Sequence, residues 1–176
     1  MFPPLESQTE TTVPPENTTE ETTAASLLEN GVYTCTLYSV TVPVGWSCDG
    51  YDSSVEITAP QAINDMVPSI SVTVGPCDGE LSKMKFDDMK KNFGTLLENI
   101  EKISFGMKTI GENECLVVEY SYTVMGMKQF ISQVIVHAGN QDITFTLVRD
   151  SLLTASAEFN EMMKSLEINP LAKDQP

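Results

Sequence analysis

The stretch GENECLVVEYSYTVMGMKQFISQVIVHAGNQDITFTLVR, residues 111–149, decides the fold. It contains three runs, at about 114–124, 128–137 and 141–149, dense in Val, Ile, Tyr, Phe and Thr. Such residues suit a pleated, half-buried surface. Gly111-Glu112-Asn113, Met125-Gly126-Met127 and Gly139-Asn140 bound the runs and are turn signals. The gaps are too short for a crossover helix, so neighbouring strands must run antiparallel. A fourth run at about 103–110 precedes them and completes a meander. A three-residue loop at Met125–Met127 would pair Val118 with Val134 and Leu116 with Val136, leaving both Met at the tip. A two-residue turn would put one of them inside.

Upstream, Phe86, Met89, Phe93, Leu96 and Ile100 recur at i, i+3, i+7, i+10 and i+14, which predicts one helix over Ser82–Ile100. Lys83, Lys85, Lys90 and Lys91 take its other face beside Asp87 and Asp88, and Ser82 can cap its start. Further back, Tyr33–Pro43 alternates as one strand, and Val55–Ile57 and Ile70–Val74 are two shorter ones. Ala59–Pro68 is a loop. Downstream, Leu152, Ala155, Phe159, Met162 and Leu166 form a second stripe, predicting a helix over about 155–166. Lys164 lies near its end, as the helix dipole prefers. The order is βββαββββα. The class is α+β, with a central antiparallel sheet of about seven strands and two main helices. About 140 ordered residues bury roughly two-thirds of their unfolded surface, enough core without metal or cofactor.

The flanks differ. Residues 1–30 hold six Glu, no Lys or Arg, and the pairs Pro3-Pro4 and Pro14-Pro15. Sparse apolar residues, like charges and Pro predict an extended acidic tether. Leu27 and Leu28 are placed to touch the domain at 31–168, and 169–176 form a C-terminal tail. The 176 residues carry a formal charge of −15, and Arg149 is the sole Arg. That balance excludes a phosphate-backbone binder. No apolar run approaches the roughly 20 residues of a membrane helix. Spacers of this Thr/Glu/Pro type often follow the lipidated Cys of bacterial surface lipoproteins. The expectation is therefore an extracellular, membrane- or wall-tethered protein, with any lipid anchor outside this chain. The alternative is a cytoplasmic protein with an acidic tail.

Cys35, Cys48, Cys77 and Cys115 show no zinc spacing such as C-x2-C. Pairing Val55 with Ile70 in a hairpin, each pair summing to 125, brings Cys48 opposite Cys77. A disulfide is expected there, worth about 3–4 kcal/mol by loop entropy. Cys35 and Cys115 lie within strand patterns, as buried thiols or as a bridge. His137, the only His, ends a strand, and Asp142 across the turn is the only nearby acid in sequence that could orient it. Asp49 with Asp52, and Glu112 with Glu114, fall short of a calcium ligand set.

Val40-Thr41-Val42-Pro43-Val44-Gly45-Trp46, the strand Gly111–Tyr120, and Phe159-Asn160-Glu161-Met162-Met163-Lys164-Ser165-Leu166 together resemble the PsbP-like superfamily, in its bacterial DcrB-related and small-lipoprotein branch. The resemblance covers about residues 32–168. It implies an α/β/α-type sandwich and a protein that acts by binding rather than catalysis, with no catalytic residue to carry over; apart from the resemblance, no metal or cofactor is expected. The expected function is a non-enzymatic binding or accessory module whose partner is another protein or an envelope component. The rivals are a cytosolic chaperone for apolar segments of a secreted partner, using an exposed sheet face with Tyr120, Tyr122 and Met127, and a hydrolase centred on His137. Trp46, Met125, Met127, Tyr120 and Tyr122 are the candidate contact residues.

Overall fold

The computed structural model describes residues 27–77, 79–93 and 97–170. Residues 1–26 of the expected tether, residues 171–176 of the tail, and Leu96 lie outside them. Eleven strands occur among the described residues: β1 Leu28–Glu29, β2 Val32–Thr34, β3 Tyr38–Thr41, β4 Ser47–Tyr51, β5 Ser54–Thr58, β6 Ser69–Pro76, β7 Glu98–Ile110, β8 Asn113–Val124, β9 Met127–Ala138, β10 Gln141–Arg149 and β11 Glu167–Ile168. Two α-helices join them, α1 Phe86–Lys91 and α2 Ser156–Lys164, with a 3-10 turn at Leu81–Lys83. The large sheet has the order β4-β5-β6-β10-β9-β8-β7, and the small sheet β1-β2-β3-β11. Every pairing is antiparallel.

Alternation along the strands builds two cores, one on each face of the large sheet. Cys115, Val117, Val134, Val136, Ile143, Phe145, Leu147, Ile70 and Val72 point to one face. There they meet Tyr33, Tyr38 and Val40 of the small sheet and Phe159, Met162 and Met163 of α2. Leu116, Val118, Tyr120, Ile131 and Ile135 point to the other and are covered by Leu81, Phe86, Met89 and Phe93. The meander β7–β8–β9–β10 and the helix after it stand as the sequence predicts, and β6 pairs with β10 to join the two halves. The expected seven-stranded sheet is present with a different membership.

Four differences have physical causes. The expected strand over Tyr33–Pro43 is two strands of the small sheet, because its buried positions change phase. Tyr33, Cys35 and Leu37 are buried, and then Tyr38, Val40 and Val42. A single strand cannot bury both sets on one side. The chain folds over between them, with Cys35 N donating to Tyr38 O at 2.9 Å. The seventh place in the large sheet goes instead to β4. Its polar Ser47-Cys48-Asp49-Gly50-Tyr51 gave little strand signal. Gly50 is needed there, since a Cβ would lie 2.5 Å from Ser54 O.

The helix expected over Ser82–Ile100 is only six residues long. Asn92 closes it, and Ile100 belongs to β7. The stripe was misleading because Phe86, Met89 and Phe93 from the helix side and Ile100 from the strand all pack on the same core. β7 carries two register shifts, between Glu98 and Glu101 and between Lys102 and Ser104.

The β5–β6 register pairs Val55 with Val72 and Ile57 with Ile70, a sum of 127 rather than 125. Cys48 therefore faces Ile57 across β4–β5, while Cys77 lies beyond the end of β6. All four cysteines are free thiols, so the expected Cys48–Cys77 disulfide is corrected. At the β8–β9 turn Val124 pairs with Met127, and Val118 meets Gln133 rather than Val134. The turn has two residues, Met125 at φ 49° and Gly126 at φ 79°. Positive φ at both positions is what the twist of a two-residue hairpin demands. Both Met remain exposed, because Met127 sits at the strand end.

Candidate functional site

The rows of the inner face show where polarity enters the sheet. One row reads Val55–Val72–Phe145–Val134–Val117–Gly106 across six strands. The next reads Ile57–Ile70–Leu147–Ser132–Glu119–Ser104. Its apolar half lies in the main core, and its polar half lies beyond Leu147. Arg149 follows two residues after Leu147 on β10, so it points to the same face.

Arg149 is 2% exposed, and Ser132 and Ser121 are buried on the same face of the sheet. Its Nη2 donates to Ser132 Oγ at 2.7 Å and lies 3.6 Å from Glu119 Oε1. Its Nη1 donates to Thr154 O at 3.4 Å and to Ser156 Oγ at the start of α2. Glu119 in turn accepts from Ser132 Oγ at 3.1 Å and from Ser104 Oγ at 2.9 Å. Arg149 Nε is buried without a hydrogen-bond partner. Burial lowers the guanidinium's pKa from its ordinary value, and the Glu119 carboxylate opposes that shift. An arginine stays charged even so.

This network lies in the wall of a cleft of about 500 Å³ between α2 and strands β7–β9. Val117, Val134, Phe159 and Met163 supply its apolar wall, with Lys108 and Lys164 also lining it. Three of the chain's ten cationic side chains thus line one cleft of an otherwise acidic molecule. Sequence reading missed this site. The signal was present in Ile143, Phe145, Leu147, Arg149, an alternation that carries the sole Arg inward.

The expected contact residues do not form one surface. Trp46 is partly buried against the inner core and lines a second groove, of about 660 Å³, with Pro43, Val44, Glu161 and Met162. Tyr120 is buried on the opposite face, stacked on Phe93 at 4.9 Å and edge-on to Phe86 at 5.9 Å. Tyr122 donates to Gln129 Oε1 at 2.7 Å beside it. The exposed Tyr- and Met-bearing face needed by a chaperone is therefore covered at Tyr120 by the α1 region. Met125 is 92% exposed and Met127 60%, at the hairpin tip.

His137 and Asp142 are directly opposed on β9 and β10 and hydrogen-bonded through His137 Nδ1, the neighbour the sequence singled out. Cys77 Sγ lies 3.6 Å from the same nitrogen. A nucleophile relay needs the carboxylate on one ring nitrogen and the thiol on the other. Here both address one atom, so the trio does not form such a relay. Asp52 holds Thr36 through N at 3.1 Å and Oγ1 at 2.7 Å, a structural tie between the two sheets.

The chain matches no protein-family model and no curated protein sequence. Solved structures do match its fold. LpqN of Mycobacterium tuberculosis, involved in cell envelope biogenesis, is similar at TM-score 0.54 and 18% identity, over 86% of this chain and 99% of that one. Cyanobacterial PsbP (CyanoP) from Synechocystis is similar at TM-score 0.52 and 16% identity, over 75% of this chain and 86% of that one. A Bacteroides thetaiotaomicron structure matches 75% of this chain at TM-score 0.52 and 16% identity, and this chain spans only 45% of its length. Identities this low speak to architecture alone. The fold is α+β and PsbP-like, as the motif resemblance implied.

Proposed function

We propose that this protein is a non-enzymatic, extracytoplasmic binding module, held at the cell envelope by its acidic N-terminal segment, and that the Arg149 cleft is where it binds. The observation that carries this reading is a guanidinium only 2% exposed in the wall of a cleft, with its buried Nε left without a hydrogen-bond partner. A buried charge is costly unless something answers it. Glu119, two serines and the Thr154 carbonyl answer part of it. A small anion with an apolar body would answer the rest, its charge toward Arg149 and Lys108 and its body against Val117, Val134, Phe159 and Met163. The cleft volume is in the range of small-ligand sites. The envelope role of the structural neighbour LpqN supports the location, and among the described residues no helix is long and apolar enough to cross a membrane.

Free thiols fit an oxidising compartment best where they are sheltered; two of the four meet this, while Cys48 and Cys77 are only partly buried. Cys35 and Cys115 are buried, and burial raises the pKa of both, which keeps them protonated and slow to react.

The test uses 1-anilinonaphthalene-8-sulfonate, an apolar anion, titrated under native conditions. The expected result is saturable fluorescence enhancement, weakened by Arg149→Met, by Lys108→Ala and by added salt, and unchanged by Val44→Ser at the Trp46 groove. Circular dichroism confirms that each variant is folded. Binding indifferent to both cationic substitutions would remove the cleft from the proposal. Protease added to intact cells of the source organism should degrade the chain; full protection would remove the location.

A further inference from the structure

The Cys77, His137 and Asp142 side chains lie on the face of the large sheet opposite the Arg149 cleft, and the binding reading uses none of them. Three separate strand ends bring them together. Cys77 follows β6, His137 is the penultimate residue of β9, and Asp142 is the second residue of β10. Cys77 N donates to Asn140 O at 3.0 Å, which fixes the end of β6 against the β9–β10 turn. Sγ, a ring nitrogen and a carboxylate oxygen then all lie within 4.8 Å of one another, on side chains that are half-buried.

We propose that this trio is a transition-metal site, and that its ion is Zn²⁺. The donor set is thiolate, imidazole and carboxylate, a combination that suits zinc and does not suit the all-oxygen preference of Ca²⁺ or Mg²⁺. The spacing agrees. Zn–S of about 2.3 Å and Zn–N of about 2.05 Å at a tetrahedral angle place sulfur and nitrogen about 3.6 Å apart. The observed Sγ–Nδ1 separation is 3.6 Å. Convergence of thiol and carboxylate on one imidazole nitrogen, which defeats a nucleophile relay, is the arrangement three ligands adopt around a shared ion. The ion takes the place of the His137–Asp142 hydrogen bond: the proton shared there is given up to solvent, His137 stays neutral with its proton on Nε2, and the Cys77 proton also leaves to solvent. With three protein ligands a fourth position stays open to water, or to the Gly79 carbonyl, which lies 3.4 Å from Sγ. A bound ion would also protect Cys77, a part-exposed thiol, from oxidation outside the cytoplasm.

Cobalt titration of the full chain tests this, because thiolate–Co²⁺ charge transfer reports sulfur ligation directly. The expected result is a charge-transfer band saturating at one Co²⁺ per chain and bleached by one equivalent of Zn²⁺. Cys77→Ser should abolish the band, and Cys48→Ser should leave it intact. His137→Ala and Asp142→Asn should each weaken Co²⁺ binding by at least the roughly tenfold that loss of an outer hydrogen bond to a ligand costs. No band at saturating Co²⁺ in the reduced wild-type chain would overturn the proposal without recourse to any variant. So would a band that survives Cys77→Ser, or binding that none of the three substitutions alters, which would mean diffuse attraction to an acidic surface.

Discussion

Replacing Glu119 by Gln tests the buried network most directly, because it keeps the shape and removes only the charge. Arg149 Nη2 lies 3.6 Å from Glu119 Oε1, with side chains 2% and 30% exposed. At an effective dielectric of about 20, two unit charges so placed attract by about 4–5 kcal/mol. Glu119 has nearly a third of its side chain in water, which screens the pair. A net loss of about 2–3 kcal/mol is expected for Glu119→Gln, since the guanidinium is left buried without a counter-charge. Arg149→Met should cost less, about 1–2 kcal/mol, although it removes the larger group. The carboxylate left behind keeps its bonds from Ser104 and Ser132 and can draw on solvent. The double variant should fall short of the sum by about 1–2 kcal/mol, the signature of direct coupling. Urea unfolding at neutral pH measures all three, provided the slopes stay equal. A Glu119→Gln loss within about 0.5 kcal/mol of zero would refute the reasoning, as would a loss smaller than that of Arg149→Met.

Alkaline pH should destabilise the fold. Burial, reinforced by the Glu114 charge, pushes the Cys115 thiol up to about 11, and burial followed by the Tyr122 charge pushes Tyr120 up to about 12. Tyr33 and Tyr38 are raised further, again chiefly by burial. The folded chain then holds protons that the unfolded chain releases, so stability is full below the unfolded values and falls as pH rises toward the folded ones. Cys115 alone should cost about 2 kcal/mol between pH 9 and 11. Urea midpoints at pH 8 and 10.5 should differ clearly, and less so in Cys115→Ala; midpoints flat across that range would count against the burial. Met125→Asn should stabilise by about 0.5–1 kcal/mol, because Asn tolerates the left-handed backbone better than Met and almost no contact is lost. A thermal midpoint that falls on this substitution would mean the turn is not of the two-residue kind.

Residues 111–149 were legible because each strand there repeats β-branched and aromatic residues and each turn carries Gly. The second helix was legible because Phe159, Met162 and Leu166 all serve one core. Failure came where a local pattern had two explanations. Phe86, Met89, Phe93 and Ile100 share a core without sharing a helix, and periodicity reports burial rather than continuity. Tyr33–Val42 alternated well while changing phase once, between Leu37 and Tyr38. Reading both parities as one strand concealed the small sheet. The register sum of 125 missed by two residues, which kept every side chain on its proper face while separating Cys48 from Cys77. A slip of two is invisible to an inside–outside pattern, because the pleat repeats every second residue.

The same period explains why the Arg149 cleft went unread although its signal was present. A charge on the inner face of a strand looks like a strand end until the partners across the sheet are known. Those partners, Ser132, Glu119 and Ser104, come from β9, β8 and β7 and mean little singly. Only the register lines them up into a polar continuation of the row Ile57–Ile70–Leu147. On the other side of the main core the row through Ile143, Val136 and Cys115 is apolar, and packing alone would have favoured a Leu or Met at position 149. A polar row opening from an apolar sheet, capped by a guanidinium that its neighbours satisfy only in part, costs stability at that spot. Such a cost is the expected trace of a surface built to meet something other than the protein itself.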